Sequence, residues 1–207
     1  MTTLQTLLES HPYCIFVVDE AYGEFGGESA LHLVHKYNNL LVLKTLSKGY
    51  GLPSIRFGYV VGSPLFIESL RKHTIPFTIN IFTELIVREF LTNPDFMKVL
   101  KANQERIINL RHFVFHLLND MAEANESFSV QPSAANFLLL RFKDTELLDN
   151  IKKVLDEQHI LISYPLPQCL RLTIGTEVEM CQLIRLVRRS LSQYRQYEGK
   201  GIKKLSA

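Results

Sequence analysis

The fold class is decided by two short apolar runs, IFVV at residues 15–18 and LLVL at residues 40–43. Runs that are short and continuously apolar are typical of parallel strands covered on both faces. Between them, residues 29–37 carry leucine and valine at helical spacing. The unit from the first run to the second has the length of a strand, helix, strand crossover, about 30 residues. We therefore expect an α/β fold.

Further helix and strand signals follow along the chain. Asn93-Pro94 and Ser63-Pro64 mark helix starts, and Thr176 with Glu179 forms a capping box at the start of the last helix. The expected strands are 59–61, 137–140, 159–162 and 170–174, and the expected helices are 63–70, 96–121, 145–158 and the segment after Thr176. A boundary between two domains is expected inside the long helix, near residue 100.

The composition is that of a globular chain. Its 207 residues are 46% hydrophobic, and a net charge of +2 gives no electrostatic case for nucleic acid or a membrane surface. No apolar run approaches the roughly 18 residues that cross a bilayer, and the N-terminus does not resemble a signal peptide. Cys14, Cys169 and Cys181 form no close pair. We expect reduced, mostly buried thiols and a cytoplasmic location.

Two charged residues follow the two apolar runs directly. Asp19 ends the first run, and Lys48 lies just past the second. Ligands of parallel α/β sheets bind at the carboxyl edge of the strands, where Ser47, Ser54 and Arg56 would also lie. This set suits a pyridine ring that bears an aldehyde and a phosphate. The carboxylate would keep the ring nitrogen protonated, a partly desolvated lysine would form the Schiff base, and the arginine and hydroxyls would hold the phosphate.

Five motifs in chain order resemble one known family. TLSKGYGLPS at 45–54, with Arg56 following, is similar to the pyridoxal-phosphate lysine signature of fold-type I aminotransferases, specifically the histidinol-phosphate aminotransferase branch. The other four motifs are DEAYGEF at 19–25, IPFTIN at 75–80, PSAANF at 132–137 and LRLTIGT at 170–176. The resemblance implies the later part of the large cofactor domain, with a parallel-rich sheet, followed by a small α/β domain.

The resemblance implies a role for each matching residue. Asp19 would pair with the pyridinium nitrogen, Tyr22 would hydrogen-bond the ring oxygen, and Lys48 would be the Schiff-base residue and later the proton shuttle. Ser47 and Arg56 would bind the cofactor phosphate. Taken singly, an Asp after a strand is more often a turn residue and a Lys more often a solvated surface group. The motif positions favour the functional interpretation.

The sequence departs from the family pattern in its substrate-binding residues and in how much of the family's chain it matches. Arg171 would clamp the substrate carboxylate or phosphate, but Ser163 stands about where family members commonly carry an arginine, and Thr78 replaces a usual Asn. The resemblance also begins in the middle of the family's chain, without the glycine-containing phosphate loop. The chain would thus be a truncated product or one half of a split enzyme, and the sequence does not choose between them.

The resemblance implies that the chain has four segments. They are a partial cofactor domain at 1–95, a connecting helix at 96–120, the small domain at 121–195 and a basic tail at 196–207. The implied reaction is pyridoxal-phosphate-dependent amino transfer between glutamate and a keto acid or imidazole-acetol phosphate, by a homodimer or a pairing with the missing N-terminal half. A related decarboxylase and a non-catalytic remnant are the alternatives.

Other function classes fit less well. An apolar strand ending in Asp-Glu-Ala also resembles the magnesium-binding strand of helicase-type ATPases, but no phosphate loop occurs in the sequence. A cysteine or serine hydrolase is not favoured, because the histidines have no motif spacing. His112 and His116 are four apart on the long helix, but no third ligand is evident, and we expect no metal site. The basic segment that includes Arg185 is expected to be a solvated helix face and a frayed tail.

Overall fold

The computed structural model describes residues 2–205, with side chains described for residues 3–194. The predicted basic tail, 196–207, lies outside the described side chains. The chain divides into two compact units, Met1–Arg106 and Ile107–Ala207, and the division falls within one long helix. Each unit is described by itself. The predicted domain ranges stay predictions.

The first unit is built on a three-stranded sheet with the order β1-β2-β3. The strands are β1 Phe16–Asp19, β2 Leu40–Thr45 and β3 Gly58–Gly62. β1 and β2 run parallel, because a crossover separates them, whereas β2 and β3 are joined by a short loop and run antiparallel. The helices are α1 Thr2–Ser10, α2 Pro64–Lys72, α3 Ile81–Thr92 and the first part of α4 Pro94–Asn125.

One face of this sheet is covered, whereas the other buries Leu41 and leaves the residues of β1 exposed. α1 and a 3₁₀ helix, Ala30–Leu33, pack on the covered face around Leu8, Leu40 and Val42. The opposite face leaves Ile15 53% exposed and Val17 54% exposed. The prediction that the first run is covered on both faces is therefore wrong for β1, whose residues alternate between half-buried and exposed.

Local sequence explains the helix starts of α3 and α4, whereas the Ser63 side chain makes no capping bond at the start of α2. The Asn93 side chain accepts hydrogen bonds from Asp95 N–H and Phe96 N–H at the start of α4, as predicted. Asn80 caps α3 in the same way, by accepting from Thr83 N–H at 2.9 Å, although the sequence analysis did not predict this helix. The helix expected within 29–37 is confirmed only as the short 3₁₀ turn that Ser29 caps.

The second unit is an antiparallel sheet covered by helices. Its strands, in the order β4-β5-β6, are β4 Phe128–Gln131, β5 Phe137–Phe142 and β6 Cys169–Thr173. The covering helices are the second part of α4, α5 Thr145–Glu157 and α6 Glu177–Leu205. Inward-facing leucines such as Leu138 and Leu140 are 1% exposed, as are Ile151 and Leu155 of α5. The unit thus has one continuous apolar core.

Most sequence predictions for this unit are confirmed, but one is wrong, and so is one that concerns the whole chain. The predicted stripe of α6 is buried, namely Met180, Leu183, Ile184, Val187 and Leu191. Residues 159–162 form no strand, because the chain uses them to end α5: Ile160 N–H bonds to Leu155 O at 2.9 Å and His159 adopts φ 56°. The three cysteines are free as expected, but only Cys169 is buried, so the expectation of mostly buried thiols is wrong. Among residues 2–205, no helix is long and apolar enough to cross a membrane.

Candidate active site

The loop that carries Lys48 joins β2 to β3 and is closed at its neck by backbone hydrogen bonds. Leu46 N–H bonds to Phe57 O at 3.2 Å, and the Thr45 hydroxyl donates to the same carbonyl at 2.9 Å. Ser47 and Arg56 are each the next residue inside this neck, on its two sides. The neck thus places two predicted phosphate ligands at the same end of the sheet.

Lys48 lies beside Tyr22. Its side chain is exposed, and its Nζ lies 5.7 Å from the centroid of the Tyr22 ring, within the range of a cation–π contact. Gly51 N–H bonds to Lys48 O at 3.1 Å and turns the chain after the lysine. Two of the predicted site residues, from loops after different strands, are therefore brought together.

Asp19 is the last residue of β1 and is exposed. Its Oδ1 accepts a hydrogen bond from Ala21 N–H at 2.9 Å, so the carboxylate also shapes the turn that leads to Tyr22. A carboxylate at the carboxyl end of a parallel strand, facing solvent, is open to a ligand.

Ser47 and Arg56 are held by local contacts. Ser47 is half-buried, and its N–H donates to the Thr45 hydroxyl at 3.1 Å. Arg56 adopts the left-handed conformation, with φ 53°, and its Nη1 donates to Pro53 O at 3.0 Å. An arginine carries five N–H donors, so this bond leaves others for an anion.

Directly beneath these loops lies a charged cluster that the sequence analysis missed. Lys44 Nζ lies 3.2 Å from Glu20 Oε2 and 2.8 Å from Glu24 Oε1, and all three side chains are at most 10% exposed. Glu20 also accepts from Ala30 N–H at 2.6 Å and from the Ser29 hydroxyl at 2.8 Å. The cluster ties the loop after β1 to the strand that leads to Lys48.

The pKa values of the cluster follow from these contacts. Burial opposes ionisation of Glu20, but its hydrogen bonds from Ala30, Ser29 and Lys44 outweigh burial and lower the pKa of Glu20. Burial likewise opposes the charge of Lys44, yet the bonds and charges of Glu24 and Glu20 raise the pKa of Lys44. Both groups are therefore charged around neutral pH.

One sequence signal could have revealed the cluster. Asp19 lies opposite Leu43 in the parallel register, so the next pair along the strands is Glu20 and Lys44. Opposite charges at adjacent positions of paired strands attract each other. That pairing can be predicted only when the register of β1 and β2 is known, and the structure supplies this register.

Arg171 belongs to the second unit, on β6. Its guanidinium lies 4.2 Å from the centroid of the Phe137 ring, a cation–π contact, and its backbone N–H bonds to Ser163 O at 2.8 Å. The side chain is half-buried, and its buried Nε has no hydrogen-bond partner among the described residues. The same residue borders a cavity of about 760 Å³ that reaches from His159 to Glu179.

The expected absence of a metal site is not contradicted by the described residues, among which no group of three or more His, Cys, Asp or Glu side chains could hold an ion. His112 and His116 are both exposed on α4. They therefore lie on a solvated face of the helix.

Comparison with known proteins gives one consistent family. Residues 1–187 match the family described as aminotransferase class I and II. Histidinol-phosphate aminotransferase 1 of Hydrogenovibrio crunogenus is 34% identical over 189 residues, which are 89% of this chain and 51% of that protein. The chain spans about half the length of the curated relatives it matches.

Solved structures share the fold. A decarboxylase from Sulfurospirillum multivorans superposes with a TM-score of 0.78 at 24% identity, covering 91% of this chain and 56% of that one. Histidinol-phosphate aminotransferase from Sinorhizobium meliloti, in complex with pyridoxal-5'-phosphate, superposes with a TM-score of 0.68 at 22% identity, covering 87% of this chain and 49% of that one. At such identities the superpositions establish the fold alone.

Proposed function

Since the chain belongs to the family of class I and II aminotransferases, we propose that it is the lysine-bearing half of a pyridoxal-phosphate-dependent aminotransferase of the histidinol-phosphate branch. The reaction is amino transfer between glutamate and a keto acid or imidazole-acetol phosphate. The observation that carries this proposal is the exposed Lys48 amine, presented beside Tyr22 at the end of the sheet where Asp19 also lies.

The residues present fit the three polar functions of pyridoxal phosphate. An aldehyde requires a primary amine, and Lys48 offers an exposed one, whereas the Lys44 amine is held by two carboxylates. A pyridine nitrogen requires a carboxylate, which Asp19 supplies. A phosphate requires donors, and Ser47 and Arg56 supply a hydroxyl and a guanidinium at the loop neck. Membership of the aminotransferase class I and II family supports the same choice of cofactor.

When bound, pyridoxal phosphate supplies an electron sink for the carbanion that forms at the substrate α-carbon. Asp19 would hold the proton on the ring nitrogen, and the Tyr22 hydroxyl would donate to the ring oxygen. The Lys48 amine would hold the aldehyde carbon, with loss of water, and once displaced by the substrate amine it would move the proton at the substrate α-carbon. Each role uses a group that faces the same sheet edge of the first unit.

Arg171 is the proposed substrate-binding residue of the second unit. Its guanidinium lies 4.2 Å from the Phe137 ring centroid, and its forked N–H donors would meet the carboxylate or phosphate. Ser163, bonded to the Arg171 backbone, brings no positive charge to the same place. We therefore propose a single arginine for the acid group of the substrate in this unit.

The active assembly requires more polypeptide than this chain. Ile15, Val17 and Leu43 leave an apolar sheet face open to solvent, and such faces mark surfaces that other protein covers. We propose that the covering protein is the other half of the aminotransferase fold, within a homodimer or a two-chain assembly. A cytoplasmic location stays a prediction.

The proposal is tested by finding which lysine bonds the cofactor. The chain, assembled with the co-expressed other half of the fold, is incubated with pyridoxal 5'-phosphate, reduced with borohydride and mapped by peptide mass spectrometry. The pyridoxyl group is expected on Lys48. Lys44, four residues away, is the built-in comparison, and label on Lys44 contradicts the assignment. Lys44→Arg should keep the label and Lys48→Arg should lose it.

There are two alternatives to an aminotransferase, and only the first of them uses the same catalytic residues. A related decarboxylase would use the same Lys48 and Asp19, and it would release CO₂ instead of forming a keto acid from glutamate. A non-catalytic remnant would remain inactive even when the other half of the fold is co-expressed. We expect no amino transfer from the lone chain and activity in the co-expressed assembly; full activity from the lone chain would contradict the proposed incompleteness.

A further inference from the structure

We propose that Glu20, Glu24 and Lys44 form a clamp that sets the position of Lys48, so that all three are positioning residues for the cofactor lysine. The proposal rests on the function proposed for Lys48. The clamp itself is defined by contacts of the first unit and is testable without any cofactor.

The clamp fixes the Tyr22 side of the site at two points. Glu20 precedes Tyr22 by two residues, Glu24 follows it by two, and both carboxylates bind the same Lys44 ammonium at 3.2 and 2.8 Å. Phe25, next to the second carboxylate, is fully buried. The short loop that carries the Tyr22 ring is therefore anchored on both sides of the ring.

The clamp also reaches the Lys48 side. Glu24 packs against Gly49, the residue after the lysine: a Cβ placed on Gly49 would lie only 2.3 Å from Glu24 Cβ and 3.1 Å from its Oε2. Real Cβ atoms essentially never approach this closely, so Glu24 and any larger residue at 49 cannot both keep their places. The loop that carries Lys48 therefore packs directly against the Glu24 side chain.

The charge of the cluster argues for a role beyond packing. Two carboxylates face one ammonium, and Glu24 Oε2 is buried with no hydrogen-bond partner among the described residues. Burying uncompensated charge is costly, and replacing such clusters by apolar residues of similar volume is often neutral or stabilising. In this chain the costly cluster lies under the loop that places the Lys48 amine 5.7 Å from the Tyr22 ring centroid, and positioning of that amine is the role that the clamp supplies.

The test uses NMR of the 207-residue chain to follow the position of the Lys48 side chain relative to the Tyr22 ring. Lysine is labelled with ¹³C at Cε, and the Lys48 resonance is assigned from Lys48→Arg. In the wild type the Tyr22 ring should shift this resonance, and Tyr22→Leu gives the value without the ring. Glu24→Gln should move the resonance at least halfway to the Tyr22→Leu value.

Hydrogen exchange separates positioning from general stability. In Glu24→Gln, the amides of Gly51 and Leu52, which close the Lys48 loop, should exchange at least about tenfold faster, while the β2 amides change by less than about threefold. Glu68→Gln, which breaks the exposed pair with Lys72, is the matched control and should change neither readout. Equal acceleration in the loop and in β2, or an unmoved Lys48 resonance, overturns the proposal.

A second variant keeps the proposal falsifiable if Glu24→Gln does not fold. Gly49→Ala retains every charge and only separates the loop from Glu24, so it should displace the Lys48 resonance with β2 protection retained. An unchanged resonance in folded Gly49→Ala overturns the clamp. Conversely, a responsive Lys48 resonance together with pyridoxyl label on a different lysine overturns the proposed function and leaves the clamp standing.

Discussion

The two sheets of this chain are close in size but differ in how they are covered. The sheet of the second unit contributes buried residues from all three strands to one continuous core, to which α4, α5 and α6 add their apolar stripes. The sheet of the first unit leaves Ile15, Val17 and Leu43 exposed on one face, and the buried residues of that unit fall into two separate clusters. The first unit carries the residues proposed to bind the cofactor, and the second carries the better core.

The unit that forms a complete core by itself is therefore not the unit that carries the proposed cofactor site. Antiparallel strands with helices on one side can complete a core locally, whereas a sheet containing a parallel pair is normally buried on both faces. In the assembly proposed above, other polypeptide would cover Val17 and its neighbours. In compensation, the first unit contains a buried charged cluster that orders its loops, at Glu20, Glu24 and Lys44.

The largest expected effect is a difference in resistance to proteolysis. Limited proteolysis of the 207-residue chain should leave a resistant fragment that begins between residues 95 and 120 and extends into α6. The reason is that local opening is easier where fewer apolar contacts must break. A resistant fragment that ends within α4 and contains the first unit would reverse the comparison.

The next largest effect should come from Lys44→Met. Removing the ammonium leaves Glu20 and Glu24 buried without their partner, which typically costs about 3–5 kcal/mol. Hydrogen exchange of β2 peptides measures the loss in the first unit alone. Lys72→Met is the control: its partner Glu68 is 69% exposed, and exposed pairs contribute at most about 1 kcal/mol. Equal losses for the two variants would contradict the role of the buried cluster.

Truncating one residue in each sheet sharpens the comparison of cores. Leu140→Ala in β5 removes a side chain that is 1% exposed and should destabilise the second unit by about 2–5 kcal/mol. Val17→Ala in β1 removes one that is 54% exposed and should cost less than about 1 kcal/mol. Urea unfolding followed by hydrogen exchange measures both. A large loss from Val17→Ala would show that its face is covered in solution.

Acid should weaken the first unit through Glu20. Burial opposes its ionisation, but its hydrogen bonds lower the pKa of Glu20 in the folded chain. A lowered folded pKa gives stability that is complete above the unfolded pKa, about 4.3, and is lost as pH falls through the folded value. Lys44, whose pKa is raised, keeps its contribution until strongly alkaline pH. Exchange protection of β2 should thus be level near neutrality and fall below about pH 4, and Glu20→Gln should flatten that fall.

Sequence periodicity predicted most elements, because a single buried stripe or run identifies each of them. The runs of β1 and β2, the α5 pattern and the α6 stripe all placed their elements correctly. Periodicity did not predict α3. Its apolar Phe82 and Leu85 are exposed in this chain, so apolar residues are not confined to one face of the helix. Periodicity also failed at 159–162, where the end of α5 overrides an apolar run of strand character.

For the candidate site, sequence motifs named the groups but not their contacts. Lys48, Tyr22 and Asp19 were predicted individually, and the structure adds that the lysine amine lies over the tyrosine ring. The Glu20–Lys44 pair depends on strand register, and the Glu24–Gly49 contact depends on how two loops fold onto each other. Contacts of that kind have no signature in a single sequence.

The smallest effect should come from the capping box of α6, within the better-packed unit. Thr176 N–H donates to Glu179 Oε2 at 2.7 Å, and Glu179 N–H donates back to the Thr176 hydroxyl at 3.3 Å. Thr176→Ala removes the hydroxyl acceptor and should cost about 1 kcal/mol, measured as a lowered urea midpoint with an unchanged slope. Thr176→Ser keeps the hydroxyl and should restore most of that stability. Because the buried stripe from Met180 onward holds α6 independently of its first turn, the local opening that Thr176→Ala adds to the folded state should be confined to that turn, beside the small global loss. Fraying that spreads to β6 would mean that the second unit depends on this cap as strongly as the first depends on Lys44.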